Sequence, residues 1–311
     1  MHASRLESIP AARDALCRPA AGAAKPIRRY DGRGLTKLAV MCGAYGNIPA
    51  LEASLAHARA AGCDGFVFLG DATGCCGHSD ETIAIVRAGF PFLLAGNYEQ
   101  KAAAGDTDCG CNYSDPEDTY YGGIAHEWAM RSLNDDNRRW LATWPDLAWL
   151  DTRVGRILLC HGSPVQTNEF LYESELDETR LAGWLHCHHA VGLACGHTGF
   201  PWSRSVAGGR FALNCGACGK PDHDHDPAVH YASIDLAEQA GSRVMIERVE
   251  YEHLGWADRL YREGVDDVFT IPIRNGVWTC GLMSMPATER LLRPRPPGWL
   301  AATGEPRLST I

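Results

Sequence analysis

Four side chains able to bind a metal ion stand beside glycines where apolar runs end: Asp71 after Gly70, Asn97 after Gly96, His161 before Gly162, and His197 after Gly196. A carboxylate, an amide oxygen and two imidazoles make a mixed oxygen–nitrogen set suited to Zn, Mn or Fe. Such a set leaves a coordination position to solvent, where water or a phosphate oxygen can bind. Each residue alone reads as easily as something ordinary. Asp71 could be a turn aspartate and Gly96-Asn97 a plain turn, and either histidine could be a satisfied buried one. The argument for a site lies in their joint order and in the kind of segment each one follows.

Those segments are short and apolar. Leu38 to Cys42 ends in a Gly-rich turn, Gly65 to Gly70 repeats the pattern, and Pro91 to Gly96 supplies a third strand. Helices are expected over 49–61, with Leu51, Leu55 and Ala58 on one face, and over 81–88. Strand and helix alternate, so the core is α/β with parallel strands. In such sheets the C-terminal strand ends converge on one crevice, which lets distant residues meet. The polar stretch 105–121, with Cys109 and Cys111, reads as a long loop near that crevice. Helices over 124–133 and 137–144 follow, then a hairpin over 147–161 and strands at 190–195 and 211–214. Segments 230–235 and 243–249 are expected to complete the second sheet.

Met41-Cys42-Gly43-Ala44-Tyr45-Gly46-Asn47, Gly70-Asp71, Gly96-Asn97-Tyr98-Glu99, His161-Gly162 and Gly196-His197-Thr198-Gly199 follow one another in this order. Over residues 37–250 the chain resembles the calcineurin-like metallophosphoesterase family, whose motifs hold two metal ions at successive strand ends. The resemblance implies a four-layer α/β sandwich, two packed mixed sheets flanked by helices. Gly43, Tyr45 and Gly199 stand where that family carries Asp, His and His. The three missing groups belong to one ion and the four survivors ring the other, so the resemblance implies a one-metal variant. Restoring the three residues should then add about one ion per chain.

Other roles follow from the same resemblance. Tyr45 is expected to take part in catalysis, filling the vacated first-metal position with its phenol towards phosphate or water; ligation as phenolate is the alternative. Tyr98 stands where many relatives carry a His that helps protonate the leaving group, and is assigned with Arg204 and Asn214 to substrate binding. Glu99 either orients a ligand residue or caps a surface helix. Cys215 and Cys218, in the Asn-x-Gly loop, together with Cys42, are candidates for a second metal or thiol site, with an iron–sulfur cluster as its extreme form. Cys160 and Cys195 read as small buried hydrophobes. The runs 186–189 and 222–226, rich in His and Asp, read as solvated loops.

Composition bounds the rest. A chain of 311 residues with 45% hydrophobic content can bury one large core. A formal charge of −9 disfavours a nucleic-acid polymer or an anionic membrane, because counterion release needs clustered cations. Thirteen scattered cysteines, no apolar run of membrane-spanning length and no signal-like start point to a cytoplasmic protein with reduced thiols. The expected organisation is an N-terminal arm over 1–36, the domain over 37–250 and a C-terminal extension over 251–311 packed on or near it. The expected activity is hydrolysis of a small or nucleotide-like phosphate ester with one divalent ion. An inactive binding protein and a scaffold turned to iron or thiol chemistry are the alternatives.

Overall fold

The computed structural model describes residues 25–237 and 243–292. The chain opens with β1 (Arg28–Asp31) and β2 (Lys37–Met41), then α1 (Ile48–Ala60), β3 (Gly65–Phe68), α2 (Ser79–Gly89), β4 (Phe92–Leu93) and α3 (Asn97–Ala104). Two helices, α4 (Pro116–Arg131) and α5 (Asp135–Leu141), lead to the hairpin β5 (Leu147–Thr152) and β6 (Gly155–Cys160). Then come α6 (Glu178–Cys187), β7 (Ala190–Cys195), β8 (Trp202–Val206), β9 (Arg210–Asn214), β10 (Val229–Asp235) and β11 (Arg243–Val249). The extension contributes α7 (His253–Arg262), α8 (Asp267–Asn275) and α9 (Ala287–Leu292).

The strands build two mixed sheets, ordered β11-β10-β2-β3-β4 and β1-β5-β6-β7-β9-β8. Side chains alternate between faces along a strand, and here both faces are covered, which explains the unbroken apolar runs. Leu38, Val40, Val67 and Leu69 meet Ile157, Leu159 and Leu213 between the sheets. On the opposite face, Ala39, Met41 and Phe68 pack under Leu51 and Leu55 of α1 and Ile83 and Val86 of α2. Leu158 and Leu193 are covered by Leu181, Trp184 and Leu185 of α6. The result is the expected four-layer sandwich. β2, β3 and β4 are parallel, and so are β6, β7 and β9. Local signals set the helix starts. Asn47 accepts from the Ala50 N–H at the head of α1, and Asp115 accepts from Glu117 and Asp118 ahead of Pro116 in α4.

Four expectations need correction. β10 pairs with β2, so β10 and β11 extend the first sheet and not the second. Ala232 and Ile234 of β10 face the same inter-sheet core as Leu38 and Val40, and that burial decides the sheet. The described part of the expected arm is drawn into the fold, since β1 pairs in parallel with β5. Residues 1–24 and 293–311 lie outside the described residues. Residues 202–206, where no strand was expected, form the edge strand β8 against β9. The strand expected over 91–96 is only the two residues of β4.

The extension is packed onto the domain. Trp256, Leu260, Phe269 and Ile273 share a core with Tyr98, Ala125 and Ala129, while Trp278, Leu282 and Met285 join Tyr172 and Phe200. Asp118 of α4 fixes it, accepting from the N–H groups of Gly281 at 2.6 Å and Ser284 at 2.7 Å. Among the described residues no helix is long and apolar enough to cross a membrane.

Candidate metal centre and its cavity

Asp71 follows β3, Asn97 opens α3 just after β4, His161 follows β6 and His197 lies two residues beyond β7. The strand ends bring them together. His161 Nε2 stands 3.3 Å from Asp71 Oδ2, 3.1 Å from Asn97 Oδ1 and 2.9 Å from His197 Nδ1. All four side chains are buried. Among the described residues, Asp71, His161 and His197 form the one group of three or more His, Cys, Asp or Glu side chains whose ligand atoms lie within 4.8 Å of one another.

Backbone geometry makes the approach feasible. Asp71 has φ of +59°, and a Cβ on Gly96 would stand 2.3 Å from Asp71 Oδ1. Only glycine at 96 leaves room for that carboxylate. Glu99, fully buried, holds the turn in place: its carboxylate accepts from the N–H groups of Asp71, Ala72 and Gly96 at 2.7–2.8 Å. Of the two roles open to Glu99, the surface cap is excluded by its burial, and the carboxylate braces the turn that carries Asp71. Burial and the Asp71 charge push the Glu99 carboxyl up to about 7.

Each ligand group is also aimed. His161 Nδ1–H donates to Leu69 O at 2.7 Å, and His197 Nε2–H to Cys111 O at 3.3 Å. Asn97 Nδ2 donates to Cys109 O at 2.7 Å, which turns Oδ1 inward. The expected loop over 105–121 runs only to Asp115, after which α4 begins, and it supplies two of the aiming carbonyls, from a Cys109–Cys111 disulfide turn.

With those protons placed, His161 Nε2 and His197 Nδ1 present bare lone pairs to each other, to a carboxylate and to an amide oxygen. A cation between these four atoms, or a proton on His161 Nε2, satisfies the arrangement, so the residues fit a divalent ion. The electrostatics favour positive charge at this point. Burial disfavours charge on His161, yet the Asp71 carboxylate outweighs it and holds that imidazole above its ordinary value. Burial and His161 together push His197 down to about 3. Asp71, despite burial, is held below the usual carboxylate range by His161.

The side of the site that lacks ligands is occupied by rings. A Cβ on Gly43 would stand 2.8 Å from Tyr45 Cε2, and one on Gly199 would stand 3.3 Å from Trp278 Cη2. Both glycines have positive φ, +62° and +72°. Tyr45 therefore lies against Gly43, and an indole from the extension lies against Gly199. Burial and Asp71 push the Tyr45 phenol well above its ordinary pKa, which favours the neutral phenol over the phenolate ligand. A cavity of about 70 Å³ opens in front of Asp71 and His197, walled by Tyr45, Tyr98, Lys220 and Trp278 among others.

Not every sequence candidate reaches this cavity. Tyr98 does, and its N–H donates to Asp71 Oδ1 at 3.3 Å. Arg204 does not. It lies on β8, half-exposed, paired with Glu173 at 3.1 Å. Asn214 spends its side chain inside the fold, with Oδ1 accepting from Gly216 N and Nδ2 donating to Thr198 Oγ1. It ties two strand-end loops together and does not line the cavity.

Cys42, Cys215 and Cys218 are buried near one another but form no three-ligand cluster, and burial pushes the Cys42 and Cys218 thiols up. Cys160 and Cys195 sit in the core as expected. His188 and His223 are buried, contrary to the solvated reading: Nδ1 of each accepts, from Trp149 Nε1 and from the Trp278 N–H.

Sequence reasoning missed Lys220 and Trp278. Lys220 carried a signal, since it follows the glycine-rich loop after β9, a strand end like the others. Trp278 carried none, because its place depends on how the extension folds back.

A sequence model described as calcineurin-like phosphoesterase matches residues 35–224. An uncharacterized protein of Methanocaldococcus jannaschii is 21% identical over 231 residues, spanning 69% of this chain and 88% of that one. Two crystal structures share the fold. A metallophosphoesterase from Sphaerobacter thermophilus has a TM-score of 0.61 at 22% identity, covering 78% of this chain and 100% of that one. A hypothetical protein from Pyrococcus horikoshii has a TM-score of 0.62 at 17% identity, covering 78% and 99%.

Proposed function

Since the chain belongs to the calcineurin-like phosphoesterase family, we propose that it hydrolyses a small phosphate ester using one divalent ion held by Asp71, Asn97, His161 and His197. The observation that carries this reading is the convergence of four aimed acceptors in a buried pocket open to a cavity. Hydrolysis forms a bond from a water oxygen to phosphorus and breaks the ester P–O bond, and the departing oxygen takes up a proton. A Zn, Mn or Fe ion at these ligands supplies a bound water of lowered pKa and a Lewis acid for a phosphoryl oxygen.

The chain's own groups do the remaining work. Asp71 and the two histidines gather one negative charge and two neutral donors, which leaves a net positive centre once a divalent ion is bound. Tyr45 and Tyr98 line the cavity, and burial keeps both phenols protonated. As neutral phenols they donate hydrogen bonds to phosphoryl or leaving-group oxygens. The aromatic walls keep bulk water from the ester and limit its size.

A second reading has an observation of its own. Rings fill the ligand-poor side of the site, which suits a protein that binds a phosphate compound without turning it over. Elemental analysis of purified protein, with a p-nitrophenyl phosphate assay, separates the two. One ion per chain with metal-dependent turnover is the expected outcome. One ion per chain with phosphate binding but no turnover, under saturating Zn, Mn or Fe, would make it the binding protein.

A further inference from the structure

Resting on the hydrolase reading, we propose that Lys220 and the cavity it lines form a phosphate-binding subsite selective for small phosphomonoesters, the lysine supplying positive charge on the side where ligands are missing.

Three independent observations place that charge. Lys220 lines the same cavity as Asp71 and His197. Its Nζ lies 3.3 Å from the centroid of the Trp278 ring, and the far edge of that indole is what a Cβ on Gly199 would meet at 3.3 Å. The indole therefore spans from the ligand-poor position to the ammonium. Among the described residues no carboxylate or other acceptor pairs with Nζ; the cation–π contact is its partner. Asp118, the carboxylate that shares the cavity, has its two oxygens occupied by Gly281 and Ser284 N–H groups.

Burial lowers the Lys220 ammonium from its ordinary value, only partly offset by the nearby Cys280, Cys75 and Asp118, and an entering anion would relieve that cost. Trp278 contributes a cation–π attraction that holds the ammonium in place. An anion entering the cavity thus finds a cation on one side and the candidate metal ligands on the other. Phosphate, with oxygens on opposite faces, can span both.

Size and charge select the ligand class. At roughly 10–15 Å³ of such space per water, a cavity of about 70 Å³ takes a phosphoryl group with a few more atoms. That size favours a small ester over a nucleotide or a polymer. A monoester brings two negative charges and one substituent to this space, whereas a diester brings one charge and two substituents. The walls contributed by Phe269, Ile273 and Trp278 favour an apolar substituent. Val268 to Gly281 belongs to the extension, so the substrate limit is set outside the shared family domain.

The test reads binding separately from turnover. Titration calorimetry on metal-loaded protein would measure inorganic phosphate, methyl phosphate and dimethyl phosphate. The expected result in the unmodified protein is binding of the first two and at least about tenfold weaker binding of the diester. Lys220→Met should weaken inorganic phosphate by about tenfold or more at unchanged metal content, and Lys220→Arg should recover part of that loss by keeping the charge. Equal affinity for mono- and diester, or phosphate binding indifferent to Lys220→Met, overturns the subsite. The comparison within the unmodified protein keeps the proposal open to refutation if the methionine variant does not fold. Lysine-dependent phosphate binding without hydrolysis of any ester would sink the hydrolase and leave the subsite. Turnover insensitive to Lys220→Met would do the reverse.

Discussion

The two halves of the site are built by different physics. On the retained half, the side chains of Asp71, Asn97, His161 and His197 are each fixed by a hydrogen bond to backbone, and Glu99 braces the turn beneath them. On the replaced half no ligand group is aimed at an ion, and of the two rings Trp278 is held by its Nε1–H donating to Pro221 O at 2.6 Å. Two glycines in left-handed conformation make room for the rings of Tyr45 and Trp278. Metal ligands must be held within a fraction of an ångström, which a polar network achieves. Packed rings require only volume and an apolar surround. The ligand-poor position and the packing of the extension are coupled, because a side chain at 199 would crowd the Trp278 indole.

The comparison breaks most simply on the retained half. His161→Ala and Asp71→Ala should each remove the ion and the activity together. The loss of metal affinity should exceed the roughly 10–100-fold that removal of an outer hydrogen-bond partner costs. Elemental analysis beside kcat/KM measures both. Activity surviving without metal in either variant would mean that the four converging acceptors are not the catalytic centre.

On the replaced half the expected gain is one whole ion, but only under a condition that the sequence did not reveal. Gly43→Asp, Tyr45→His and Gly199→His restore the family's residue types, yet the Gly199→His imidazole meets Trp278. Side chains at positive φ add about 1–2 kcal/mol of strain at each glycine. The triple variant should therefore still bind one ion per chain, and adding Trp278→Ala should raise this to two. A second ion in the triple variant alone would show that the indole is easily displaced and that the two halves are not sterically exclusive.

Glu99 tests how far the retained half depends on its brace. Glu99→Gln puts an NH2 group where a carboxylate oxygen accepts backbone N–H groups, so at least one N–H loses its acceptor in a buried place. Metal affinity should fall by roughly 10–100-fold, with stability lower by about 1–3 kcal/mol. Titration with a competing chelator and denaturant unfolding measure the two. An unchanged metal affinity would assign Glu99 to helix capping alone.

What was legible in the sequence follows the same division. Asp71, Asn97, His161 and His197 could be read because each sits where an apolar run ends, and strand ends in α/β sheets converge. The four-layer fold was legible through the family resemblance, whereas runs such as 38–42 by themselves point only to buried strands of an α/β core. The assignment of β10 and β11 to a sheet was not, because alternation shows which face is apolar but not which strand is the neighbour. Tyr45 was legible as a filler. Its partner Trp278 was not, since nothing local to the stretch 276–281 points to a position beside Gly199. The contact of Lys220 with that indole likewise depends on how the extension folds back.

Arg204 gives the smallest expected effect and the sharpest contrast with Lys220. Both are cations placed near a site segment in sequence, and reading the chain alone favoured the arginine. The structure puts Arg204 on an edge strand with its neighbours exposed, paired with Glu173, and both side chains reach solvent. Exposed pairs of this kind contribute about 0–1 kcal/mol. Arg204→Ala should thus change stability by no more than about 0.5 kcal/mol, with kcat/KM and phosphate affinity unaltered. Arg204 is not among the residues that line the cavity, and its half-exposed charge is screened by water. Measured beside Lys220→Met, the pair asks whether anion binding follows burial or mere proximity in sequence. A loss of phosphate affinity in Arg204→Ala with none in Lys220→Met would place the bound anion at the sheet edge and break the assignment of the cavity.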